Sequence, residues 1–238
     1  MNADLESFIR GWREAYVKQQ QAILLFNPEL TAKFTIAQQQ TFFVIFDELR
    51  RHFTGLLGYL AGLAPDQQYK RALLQNWKEE NGVSDDGREL FSHDDLYRRA
   101  ASSVGVDVLV ESHAGRTRRS YTDAFNDGFV RFIVEQIVIS GRKIGWNRIW
   151  SAVEAYELLD NVDYPAFLRL AHSFGLKGEA LTFFEIHCLV EHFELGAESL
   201  DEIWAVDSDS VRIGFAFIKK LQLTAFRALS DELFVRGK

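Results

Sequence analysis

The sequence predicts an all-α, single-domain bundle of seven to nine helices. Three observations carry that expectation. Apolar residues recur at three- and four-residue spacing along most of the chain. Only V-G-V-D-V-L-V at 104–110 alternates like a strand, and it is short. Three prolines in 238 residues leave long segments uninterrupted, with no Gly/Ser-rich linker and no shift in composition. A chain of this length buries a large single core, so one domain over 1–238 suffices.

Residues 4–24 and 37–61 are expected as long amphipathic helices, the second apolar at Phe42, Phe43, Ile45, Phe46, Leu49, Phe53, Leu56 and Leu57. Pro65-Asp66 opens a third helix that runs to about Glu80 and stops at Asn81-Gly82. The polar segment G-V-S-D-D-G-R-E-L-F-S connects it to a helix from His93 to Ser103, capped by Ser92 and ended by Val104-Gly105. Further helices are expected over about 111–138, loosened near Gly115 and Gly128, and then over 144–160, 163–174, 178–195 and 209–233. Neither heptads nor internal repeats occur. Twenty phenylalanines and five tryptophans fill the core or line an apolar chamber.

Composition narrows the functional classes. A formal charge of −7 and an acidic pI of about 5.4 disfavour nucleic acid as a partner. The only dense basic cluster is R-T-R-R at 116–119. No apolar run reaches the roughly 18 residues that a membrane span requires. The opening M-N-A-D-L-E-S-F lacks the basic-then-apolar order of a secretion signal. The single cysteine, Cys188, fits a reducing compartment, and a cytoplasmic location is expected. Cys188 adjoins His187, but helical neighbours point about 100° apart, so Cys188 is read as core packing.

The most informative stretch is T-F-F-E-I-H-C-L-V-E-H-F-E-L-G at 182–196. As a helix it places His187, Glu191 and Glu194 on one face with Ala180, Phe184 and Val190. A buried imidazole and two carboxylates require compensation, which a metal ion supplies. By itself this helix is explained equally well by a satisfied core histidine and solvated acids. Glu185 and His192 lie off the stripe. Three other segments offer partners. N-W-K-E-E-N-G puts Glu80 on the face of Leu73, Asn76 and Trp77, at a helix C-terminus where a carboxylate opposes the dipole; Glu79 points to solvent. H-D-D-L-Y puts His93 on a face with Leu96, Tyr97 and Ala100. A-Y-E places Glu157 one turn after Val153, with Glu154 in reserve. His52, His113 and His172 have no ligand partners at useful spacing and are read as structural.

N-W-K-E-E-N-G with H-D-D-L-Y, then A-Y-E, then S-F-G-L-K-G-E-A-L-T-F-F-E-I-H-C-L-V-E together resemble the haem-oxygenase-like superfamily over roughly residues 66–200. That superfamily holds thiaminase-like proteins, a cofactorless quinone synthase and non-haem dimetal oxidases and oxygenases. The chain looks most similar to the last group, in the branch of the Chlamydia death-domain-associating protein and its cyanobacterial relatives. The resemblance implies a haem-oxygenase-like bundle in which Glu80, His93, Glu157, His187, Glu191 and Glu194 ligate metal. Two departures stand out within the family's H-x3-D-x2-H helix. Glu191 replaces an aspartate, and Glu194 replaces a histidine. The resulting four carboxylates and two histidines balance two divalent ions. The stretch between Glu80 and His93 is also longer than in the compact family version.

Mixed imidazole and carboxylate ligands suit iron, or manganese, better than zinc. The expected activity is therefore an O2-dependent diiron oxidase or oxygenase carrying two Fe(II) ions, with O2 as co-substrate. The resemblance implies a small-metabolite substrate. An amino acid with an apolar or aromatic side chain is preferred, with Arg118 or Arg148 anchoring its carboxylate; cleavage, desaturation and nitrile or alkene formation are the candidate outcomes. A fatty acid would use the same walls and a single anchor. A metal-independent thiaminase-like or quinone-synthase-like enzyme and a non-enzymatic helical interaction protein are the alternatives. The expected partners are the small molecule, an external electron donor and a second copy in a homodimer, with no nucleic acid and no membrane.

Overall fold

The computed structural model describes residues 2–84, 90–109, 119–189 and 197–235. Among these residues run the α-helices α1 (Ala3–Gln21), α2 (Pro28–Thr31), α3 (Ile36–Arg50), α4 (Phe53–Leu63), α5 (Gln67–Glu80), α6 (His93–Ser102), α7 (Ser120–Ser173), α8 (Thr182–Leu189) and α9 (Ala197–Val235). Among the described residues there is no strand, so the all-α expectation holds. Nor is any helix among them long and apolar enough to cross a membrane.

Local chemistry explains most helix starts. Asn2, Asn27, Asp66 and Ser92 each accept a hydrogen bond from a backbone N–H of the turn that follows. Thr35 and Gln38 form a reciprocal capping box at α3. In α1, Leu5, Ile9, Trp12, Tyr16 and Gln20 form a buried stripe at three- and four-residue steps. The stripe lies on α9, where the Trp12 indole N–H donates to the Phe215 carbonyl at 3.0 Å.

The centre of the bundle is α7. It packs along α9, and the two backbones come so close that a Cβ on Gly214 would sit 2.6 Å from the Ala152 nitrogen. Gly141, at φ 75°, breaks α7, and Asp207 breaks α9. From Gly145 to Ala171, α7 is buried on nearly every side, so it is a core helix and not an amphipathic one.

Three expectations about element boundaries need correction. The helix expected over 37–61 is two helices, separated at Arg51-His52. The pair expected at 144–160 and 163–174 is one helix that runs through Pro165. A helix-interior proline costs about 3 kcal/mol. Burial of Tyr164, Phe167 and Leu170 against the neighbouring helices outweighs that cost. The strand-like segment at 104–110 forms a turn over 103–105 and begins a helical turn at Val108, as far as Leu109. Val106 and Val108 plug the core, while the Asp107 carboxylate accepts the Leu109 N–H, a local bond that competes with extended pairing.

Candidate metal centre

Glu80 is the last residue of α5, His93 the first of α6, and His187 lies in the second turn of α8. Each offers one ligand atom, and the three atoms lie within 4.8 Å of one another. Two ligands about 2.1 Å from a shared ion sit no more than about 4.2 Å apart. Side-chain adjustments of about half an ångström therefore close this set around a cation.

A Schellman turn brings Glu80 and His93 together despite the long connection. The Val83 N–H donates to the Lys78 carbonyl, and the Gly82 N–H to that of Glu79. Gly82 has φ +72°, and its carbonyl accepts the Leu90 N–H. A Cβ there would lie 2.6 Å from the Leu90 oxygen and 2.7 Å from the Ser92 nitrogen, which is the cap of α6. Gly82→Ala is expected to cost about 2 kcal/mol from the left-handed backbone and the clash, and to weaken metal binding. Urea denaturation and metal titration of the variant check this.

The His187 ring is oriented by its outer nitrogen. Its Nδ1–H donates to the Phe183 carbonyl at 2.7 Å, so Nε2 is the acceptor nitrogen of the ring. Tyr164 stacks on the His187 ring at 3.9 Å between centroids. His93 lies 4.4 Å from His187, and its Nδ1–H donates to the Glu80 carboxylate at 3.0 Å. These two atoms stand as close as neighbouring ligands of one cation, so a bound ion would replace the proton between them. His93 shares its buried face with Leu96, Tyr97 and Ala100, as the sequence predicts.

Comparison with protein-family models and with curated proteins finds no match for the chain. The chemistry of the site therefore rests on its own residues.

Glu157, on α7, is buried, and the Asn76 side chain of α5 donates to it at 2.7 Å. Burial and then the charge of Glu80 raise its pKa, while the Asn76 hydrogen bond opposes the shift. Glu157 feels the charge of Glu80 but is not one of the three residues whose ligand atoms converge. Glu154, the reserve candidate, is also buried, and its Oε2 has no hydrogen-bond partner among the described residues. Burial and the charge of Glu157 push its pKa well up. Glu191, Glu194 and Arg118 lie outside the described residues, as do Val190 and His192.

Two buried acids of α7 escaped the sequence reading. Asp160 is raised well above the usual carboxylate range by burial, then by Glu157, Asp163 and Glu80. Asp163 accepts hydrogen bonds from Tyr16, Gln20 and Gln222, yet burial dominates and lifts it to about 7. The available signal was the three-residue repeat Glu154, Glu157, Asp160, Asp163. At about 100° per residue that repeat winds around the helix instead of marking one face, and only a helix buried on all sides hides every member.

Other candidates fall elsewhere. The Arg148 guanidinium donates to Gln136 and Ser140, across the break at Gly141. Glu79 is exposed and accepts from Gln75, as expected. Cys188 is half-buried at the edge of the core, and burial raises its thiol pKa.

Proposed function

We propose that the protein is a metal-dependent, O2-using oxidase or oxygenase of the haem-oxygenase-like type, with non-haem iron held by Glu80, His93 and His187. The observation that carries this reading is the convergence of one carboxylate and two imidazoles from three separate helices. That donor set with open positions suits non-haem Fe(II). Iron held there would supply the redox chemistry of oxygen activation.

The surrounding protein supports a second cation. Glu157 and Asp160 stand buried within the field of Glu80. Like charges buried so close together disfavour ionisation, and a cation would offset that cost. Glu191 and Glu194, four and seven residues beyond His187, would complete the second position. The role of this chain is to orient His187 through Phe183 and to keep the site dry with Tyr164 and Phe183. A Cys188 nucleophile is disfavoured, because burial holds its thiol protonated.

Anaerobic titration of the purified chain with Fe(II), followed by O2, tests the reading. Two irons per chain and O2 uptake are expected. One iron per chain would refute the pair but keep the three-residue site, and no bound iron would refute the proposal. Cys188→Ser and Glu79→Gln should bind iron like the parent.

A further inference from the structure

A cavity of about 450 Å³ opens between α3–α4 and the first part of α7, within the size range of small-molecule sites. Its walls are apolar and aromatic, from Phe53, Leu56, Phe129, Val130 and Tyr156. Two carboxylates, Asp123 and Asp127, stand one helical turn apart along the same lining. No lysine or arginine is among the described residues that line it. The basic side chain of the lining is His52, which burial and Arg51 hold toward its neutral form although Asp47, Asp123 and Asp127 oppose the shift. The nearby Arg51 turns to Asp47 at 3.6 Å, and Arg119 is taken by Glu48 and Glu232. A place in the first turn of α7 accounts for Asp123 through the helix dipole. Asp127, a turn further on, is exposed to solvent.

The inner end of this cavity approaches the metal centre. Leu49, Phe125 and Tyr156 line both the cavity and a small inner chamber of about 30 Å³. Arg50, Asp160, Asp163 and Tyr164 line that chamber too, and Tyr164 is the ring stacked on His187. A ligand whose charged end meets the aspartates can lay its apolar body along the aromatic wall that includes Tyr156.

We propose that this cavity binds the substrate of the enzyme proposed above, and that the substrate is a small amphipathic amine: a protonated nitrogen held by Asp123 and Asp127, with an apolar body directed toward Tyr156. The substrate class rests on the metal-enzyme reading, whereas the binding selectivity does not. Selection is by charge sign. An alkyl carboxylate of equal length meets the same walls but faces two negative groups, which disfavours it.

Calorimetric titration of the full-length protein with n-octylammonium, n-octanoate and 1-octanol tests the proposal, with neither Fe(II) nor O2 required. The ammonium is expected to bind at least tenfold more tightly than the octanoate. Asp123→Asn with Asp127→Asn should cut ammonium affinity about tenfold and leave octanol affinity unchanged, while Leu56→Trp should weaken all three by filling the cavity. Circular dichroism checks that each variant is folded. Equal affinity for ammonium and octanoate, no binding of the ammonium, or ammonium affinity indifferent to the double substitution would each overturn it. Failure here with two irons bound removes only the substrate class. Amine binding without iron binding removes the oxidase reading and leaves the cavity as an amine site.

Discussion

His187→Ala is expected to lower Fe(II) affinity by at least 100-fold while the chain remains folded. Removing an outer partner of a metal-bound histidine already costs about 10–100-fold, and losing the ligand itself costs no less. His187 is the member of the cluster most fully committed to one orientation. Its Nδ1–H is held by the Phe183 carbonyl, Tyr164 covers one face, and Phe183 packs at 4.6 Å. The substitution also leaves a small cavity in a buried aromatic cluster, so a stability loss of about 1–3 kcal/mol is expected. Anaerobic equilibrium titration and urea denaturation separate the two effects. A folded variant that binds iron like the parent would remove His187 from the site.

Asp163→Ala should produce the largest stability loss, about 3–5 kcal/mol. Its carboxylate is the shared acceptor for the Tyr16 hydroxyl of α1, the Gln20 amide of α1 and the Gln222 amide of α9. Alanine leaves these buried donors without that acceptor, and each unsatisfied group costs about 1–3 kcal/mol. The effect depends on pH with a definite sign. Burial raises the folded-state pKa from the ordinary 3.8 to about 7, so the folded state binds the proton more tightly. The contribution of this group is fully present below about pH 4 and is lost as pH rises through 7. The parent-minus-variant difference should therefore be greatest near pH 4 and shrink toward neutrality, as urea denaturation at pH 4.5, 5.5 and 7 would show. A difference that grows with pH would contradict the assignment.

Much of this architecture is legible in the sequence because caps and stripes are local. Ser92 and the stop at Asn81-Gly82 follow from turn chemistry, and the burial of Ala180, Phe184 and His187 follows from helical spacing. Glu80, His93 and His187 could be singled out because each is an ionisable group on an apolar face. What escaped is set by tertiary contact. Periodicity cannot separate two helices joined at Arg51-His52 when both carry apolar residues, nor foresee that packing carries α7 through Pro165. Asp160 and Asp163 were missed because a helix surrounded on all sides has no polar face against which a buried acid stands out. The cavity beside Asp123 and Asp127 joins residues from α3, α4 and α7 that no local pattern connects.

Anomalous diffraction from crystals loaded anaerobically with Fe(II) tests the central claim most directly. A strong iron peak within about 2.3 Å of a Glu80 oxygen, of a His93 ring nitrogen and of His187 Nε2 is the expected result, with a second peak about 4 Å away toward Glu157. Iron found only at surface carboxylates, with the space between Glu80, His93 and His187 empty, would contradict it.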